Sequence, residues 1–112
     1  MAIRTTLRIL NTQDSLPLIS GLVQQEPDVT AHYTQVLPAA AGEVALSMGA
    51  IVTARYIYIE TDTLITLSLN GSTPRLACDG VFFLAGPTVA VTAITAIATT
   101  GASIKVFLGG VQ

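Results

Sequence analysis

Ile65-Thr66-Leu67-Ser68-Leu69-Asn70-Gly71 is the stretch that decides the fold class. Apolar residues alternate with small polar ones, and the run stops on Asn-Gly. A period of two places Ile65, Leu67 and Leu69 on one face of an extended chain and Thr66 and Ser68 on the other. Asn and Gly tolerate the positive φ that both central positions of a type I′ turn require, which makes Asn-Gly the strongest short hairpin signal. The stretch predicts a strand over 63–69 and a tight turn leading into the segment after Ser72.

The same alternation recurs on both sides. Ile3, Thr5, Leu7 and Ile9 alternate with Arg4, Thr6 and Arg8, and Ile57 and Ile59 alternate with Tyr56, Tyr58 and Glu60. Ile104, Val106 and Leu108 alternate with Ser103, Lys105 and Phe107. In the stretch before them, Val89, Val91 and Ala93 are opposed by Ala90 and Ile94. Asp79-Gly80, Gly86-Pro87 and Thr100-Gly101 punctuate the runs, and Asp62 makes a corner between Glu60 and Thr63. The predicted strands are 2–10, 29–37, 43–47, 54–60, 63–69, 73–77, 80–85, 88–97 and 102–108. No window of helical length carries a 3.6-residue stripe. Residues 11–28 read as one long irregular segment, broken by Pro17, Gly21 and Pro27 but holding Leu16, Leu18, Ile19, Leu22 and Val23. Those apolar side chains are costly to leave in water. The segment is expected either to reach a neighbouring subunit or to fold over its own core as a lid. About eight short antiparallel strands imply one all-β domain over 1–112, a β-sandwich or small barrel.

Composition then says where such a domain sits. Of 112 residues, 51% are apolar and only 11% are charged, against roughly a quarter charged in an ordinary soluble domain. The mean hydropathy is +0.65. Yet no stretch approaches the about 20 consecutive apolar residues of a membrane span. A small core cannot hide so much apolar surface, so the surplus is expected against another chain. Both faces of the last strand carry it: Ile104, Val106 and Leu108 on one, Phe107 on the other. A dimer or trimer is the expectation. The net charge of −2 and the scattering of Arg4, Arg8, Arg55, Arg75 and Lys105 argue against nucleic-acid binding, which needs clustered cations. The N-terminus carries no apolar h-region, so no secretory signal is expected. Cys78 is the only cysteine. It excludes an internal disulfide and reads as a buried thiol.

Catalytic chemistry finds little support. His32 is the only histidine, and no serine stands in a Gly-x-Ser-x-Gly setting. Its strand places it beside Thr30, Thr34 and Val36, as a surface or interface residue. Glu60 and Asp62 are close, but a turn explains them, and the regular ligand spacing of a calcium loop is missing. Gly109-Gly110 is followed by no Lys-Ser/Thr, so it is no phosphate loop. No catalytic residue, cofactor or metal site is expected, and the chain is read as a non-enzyme. Tyr56 and Tyr58 share one strand face and suit protein contact, since Tyr is enriched at interfaces. The candidate interface is Leu16, Leu18, Ile19, Leu22, Val23, Tyr56, Tyr58 and Phe107.

A resemblance adds to this reading. It runs through Ala54-Arg55-Tyr56-Ile57-Tyr58-Ile59-Glu60-Thr61-Asp62, the Ile65–Gly71 hairpin stretch, Asp79-Gly80-Val81-Phe82-Phe83-Leu84-Ala85-Gly86 and Ile104-Lys105-Val106-Phe107-Leu108-Gly109-Gly110. This C-terminal half resembles small all-β virion proteins of tailed bacteriophages, in particular capsid cement or decoration proteins with jelly-roll-like sandwiches. The resemblance implies a structural role in a virion assembled in the host cytoplasm. It also implies a homo-oligomer seated on the major capsid protein, with no membrane partner and no small-molecule ligand. Related small β proteins occur in tails and baseplates, and that location stays open. The reading from a different class is a carbohydrate- or receptor-binding β-sandwich that uses Tyr56, Tyr58 and the 11–28 segment.

Overall fold

The structure, a computed structural model, describes residues 3–10, 17–25, 28–40 and 42–112. Among these the chain is all strand and turn, with no helix. The strands are β1 (Ile3–Leu10), β2 (Pro17–Gln25), β3 (Val29–Leu37), β4 (Val44–Ala45), β5 (Thr53–Thr61), β6 (Ile65–Leu69), β7 (Leu76–Cys78), β8 (Val81–Ala85), β9 (Ile94–Ile97) and β10 (Ala102–Val111). β1 and β2 form a two-stranded sheet, and the others form two antiparallel four-stranded sheets ordered β3-β10-β5-β8 and β4-β9-β6-β7. From β3 onward the pairing is nested: β3 with β10, β4 with β9, β5 with β8, β6 with β7. The innermost pair is the hairpin that Asn70-Gly71 marks.

That turn is built as the sequence predicts. Asn70 has φ 56° and Gly71 φ 69°, and the Ser72 N–H donates to the Leu69 carbonyl at 3.0 Å. The Asn70 side chain does more than turn the chain. Its Oδ1 accepts from the Thr92 N–H at 2.7 Å and the Ala93 N–H at 3.3 Å, while Nδ2 donates to the Ala90 carbonyl at 2.9 Å. One amide thus fastens the 90–93 loop to the hairpin.

Alternation supplies the core between the two large sheets. Ile57 and Ile59 of β5 and Ile104, Val106 and Leu108 of β10 are all 0% exposed, as are Leu67 of β6 and Ala96 of β9. They belong to one cluster with Ile65, Cys78 and Ile94, so the architecture is sandwich-like. Each buried Leu or Ile contributes about 1.5–3 kcal/mol relative to exposure. Cys78 lies in this cluster as a buried thiol, and burial raises its pKa, with the Asp79 charge adding to the shift.

One break in the alternation shapes the outer surface. Tyr56 stands opposite Gly109 and Ala54 opposite Gly110, with a register shift between the two. Arg55 is therefore an extra residue, a β-bulge that lets Ala54 enter the core while Tyr56 takes the other face. Arg55 points out and donates to the Pro87 carbonyl at 2.9 Å. At Gly110 the two backbones come so close that a Cβ would sit 2.0 Å from the Thr53 carbonyl oxygen.

Two sequence expectations need correction. The 11–28 segment is not irregular throughout, because Pro17–Gln25 is a strand paired with β1 from Ile3↔Gln25 to Leu10↔Pro17. Pro17 sits at the first strand position, where a missing N–H is tolerated, and Gly21 is carried by its partner Leu7. Long-range pairing has overridden local punctuation. The remaining positions of that segment, 11–16 and 26–27, lie outside the described residues. The second correction concerns 88–97, where only Ile94–Ile97 is strand. Val91 makes an isolated bridge to Ala54, and the loop is held by Asn70. Val91 and Ile94, expected on opposite faces, are both buried in the one core at 4% and 1% exposure.

Two substitutions test these constraints. Gly71→Val places a β-branched residue at positive φ and is expected to lower the unfolding free energy by about 1–2 kcal/mol in urea titration. Gly110→Ala drives a methyl into the Thr53 backbone and is expected to cost more, about 3 kcal/mol. Equal or smaller loss at Gly110 would contradict the close approach.

Candidate functional site

The outer face of the β3-β10-β5-β8 sheet carries Tyr56, Tyr58, Phe83, Phe107 and His32, while Tyr33 and Phe82 pack toward the core. Register aligns His32 with Phe107, Phe107 with Tyr58, and Tyr58 with Phe83, so one row crosses all four strands. Beside it runs a second row, Thr34, Lys105, Glu60 and Val81. Tyr56 stands opposite Gly109, which has no side chain to fill the space. Its ring packs at 5.7 Å from Phe107 and 5.3 Å from Phe83, both edge-on, and is only 7% exposed. His32 lies 5.6 Å from Phe107. Edge-to-face pairs at such spacings stabilise beyond their buried area.

The surface between these rings is a shallow depression of about 290 Å³ lined by His32, Tyr56, Tyr58 and Phe107. Toward the second row it continues past Glu60 and Lys105. A further recess of about 260 Å³ is lined by Glu60, Thr61, Asp62, Ser103 and Lys105. Asp62 forms the expected corner here: its Oδ1 accepts the Ser103 N–H at 2.9 Å. The Tyr58 hydroxyl donates to Glu60 Oε1. That bond, with a smaller contribution from burial, raises the Tyr58 pKa above its ordinary value near 10.0. On the inner side of β3, Tyr33 donates to the Ser47 carbonyl at 2.6 Å, and burial pushes its phenol up.

The opposite sheet carries a polar cluster of its own. Glu43 accepts from the Thr95 hydroxyl at 2.6 Å and pairs with Arg75 at 3.0 Å. The Thr95 bond and then Arg75 hold its carboxyl below the usual range. Glu43 is exposed and Arg75 half-buried, so solvent screens the pair and it adds little to stability.

Of the candidate interface residues, Tyr56, Tyr58 and Phe107 come together on one face. Leu18, Ile19, Leu22 and Val23 lie apart, in β2. Ile19, Leu22 and Val23 pair with Ile9, Thr6 and Thr5, and the register shift leaves Leu18 as the extra residue. Leu16 lies outside the described residues. Sequence reading placed His32 on the exposed side of its strand, as found, but did not join it to the tyrosines, and it missed Phe83. Neither was legible without the strand order, because the row draws on four strands that are distant in sequence. Among the described residues no three His, Cys, Asp or Glu side chains gather as metal ligands. The face offers stacking and apolar contact bordered by one carboxylate and one ammonium, which is chemistry for binding. Compared with protein families, curated proteins and solved structures, the chain matches none.

The Tyr58–Glu60 bond has a titration signature. A raised folded pKa stabilises fully below the unfolded value near 10.0 and is lost as pH rises through the folded one. Glu60→Gln is expected to bring Tyr58 back toward its ordinary value, read from its ring resonances in an NMR pH titration. An unmoved Tyr58 would show that Glu60 does not hold the phenol.

Proposed function

We propose that the chain is a structural protein of a bacteriophage virion, a capsid cement or decoration protein that associates with itself and with the major capsid protein. In this reading the eight strands from β3 to β10 wind as a jelly roll. The nested pairing of first strand with last, second with seventh, third with sixth and fourth with fifth supports it. Jelly rolls serve widely as capsid and lectin domains. The observation that carries the functional reading is the aromatic row His32-Phe107-Tyr58-Phe83 on the outside of a sheet whose core face is already filled. In a monomer such a face leaves ring surface in water, whereas an interface core is enriched in aromatic residues and poor in charge. The low charge content of the whole chain agrees. Association by repeated copies rewards apolar faces and strand edges.

A carbohydrate-binding module is the second reading. It is favoured by the depression between His32, Tyr56, Tyr58 and Phe107, with Glu60 and Lys105 at its rim. Sugar rings stack on such aromatic floors and hydrogen-bond to charged rims.

Particles purified from the phage that encodes the chain are expected to contain it in many copies by quantitative mass spectrometry. Its absence from them, together with glycan-array binding lost in Tyr58→Ala, would favour the second reading. The β1–β2 hairpin adds a further test. Leu18→Asp with Ile19→Asp is expected to weaken assembly or particle binding and leave the thermal transition nearly unchanged. Leu67→Ala, in the core, is expected to cost about 2–5 kcal/mol of stability. If the β2 pair unfolds the subunit as badly, the segment is a lid on its own domain rather than an arm.

A further inference from the structure

We propose that β3 is an assembly edge, where a second copy of this chain adds its own β3 antiparallel about a two-fold axis and joins two four-stranded sheets into one. This names an interface for the self-association proposed above and rests on that reading.

The two large sheets have edges at β3, β8, β4 and β7. β4 has 2 residues and β7 has 3, too short to template another strand. β8 has 5 residues. β3 has 9, and its sequence Val29-Thr30-Ala31-His32-Tyr33-Thr34-Gln35-Val36-Leu37 holds no Lys, Arg, Asp, Glu or Pro. Its register with β10 runs from Ala102↔Leu37 to Gly110↔Val29 with no bulge. Among the described residues no strand pairs with its other side. Soluble proteins blunt edges with short strands, charges, prolines or bulges. The other sheet uses the first of these devices, and β3 uses none. Its outer row of N–H and C=O groups is interrupted by no proline or bulge and flanked by no Lys, Arg, Asp or Glu side chain of β3.

The side chains favour a second copy as the occupant. An antiparallel strand paired with itself is two-fold symmetric, so one edge serves both partners. No charge on β3 repels its copy. Val36 is 71% exposed, the most exposed large hydrophobic residue described. It lies on the outer face with His32, where the aromatic row ends. Centring the axis on Thr34 sets His32 across from Val36 of the partner subunit, twice. The row Phe83, Tyr58, Phe107 and His32 then ends against Val36 of the partner subunit. Thr34 meets its own counterpart, a favourable cross-strand pair.

Three variants test this by sedimentation equilibrium at micromolar concentration. The native chain is expected to be a dimer or a multiple of one. Val36→Lys puts an ammonium at the seam without touching the core, and is expected to weaken association by at least about tenfold with an unchanged thermal transition. Val81→Lys, at an exposed site on the β8 edge of the same sheet, is expected to leave the mass unchanged. Thr34→Cys introduces one accessible thiol beside the buried Cys78. It is expected to give a covalent dimer with a short bifunctional thiol cross-linker. A native oligomer indifferent to Val36→Lys, or one dissociated by Val81→Lys, overturns the β3 edge and leaves self-association standing. A native monomer overturns both. Dissociation by Val36→Lys without cross-linking at Thr34 overturns the register centred there.

Discussion

The structure depends on β10. This last strand lies between β3 and β5, and its alternation supplies Ile104, Val106 and Leu108 to the core at 0% exposure while Phe107 takes the outer face. Without it β3 has no partner and the β5–β8 pair stands alone. The fold therefore closes only when the C-terminal strand inserts between two earlier ones. Such non-local pairing must offset the entropy of closing long loops before any contact rewards it. The nested order softens that requirement. The β6–β7 hairpin is local, and each outer pair extends an antiparallel ribbon that already exists.

Backbone approach and side-chain placement are linked at one point on this strand. Gly110 lets β10 press against Thr53, and the register shift beside it makes Arg55 the bulge residue. The bulge turns Ala54 inward and leaves Tyr56 outward over Gly109. The Tyr56 ring then fills the gap between Phe107 and Phe83. The seat of Tyr56 in the aromatic face is thus set beside two glycines near the end of β10. That face carries the functional reading because the core needs none of its rings.

The sheets differ in how they meet their surroundings. The β4-β9-β6-β7 sheet ends in strands too short to pair with another chain, and its Glu43–Arg75–Thr95 cluster is a solvated surface. The β3-β10-β5-β8 sheet ends on a long uncharged strand and is paved with rings. The asymmetry lies in the rings and the edges, since exposed aliphatic residues occur on both sheets, Val36 and Val81 on this one and Leu76 on β7 of the other.

Much of this was legible in local sequence, because a period of two and a turn dipeptide are properties of neighbouring residues. The Asn70-Gly71 turn and the Asp62 corner followed from turn residues and the buried Cys78 from the usual burial of a free thiol, whereas the all-β class and the exposed side of β3 followed from alternation. So did the split of β10 into a core face and a face bearing Phe107. The strand in Pro17–Gln25 was hidden because Pro17 and Gly21 read as breakers when the partner strand is unknown. The loop over 87–93 was hidden because Asn70, about twenty residues away, holds it by its side chain. The bulge at Arg55 and the row joining His32, Phe107, Tyr58 and Phe83 need a strand order that no local pattern contains. Sequence by itself determined most of the extended runs, and the face each residue takes where the alternation is unbroken. Tertiary structure decided which faces lie side by side, since that depends on pairing between strands far apart in the chain.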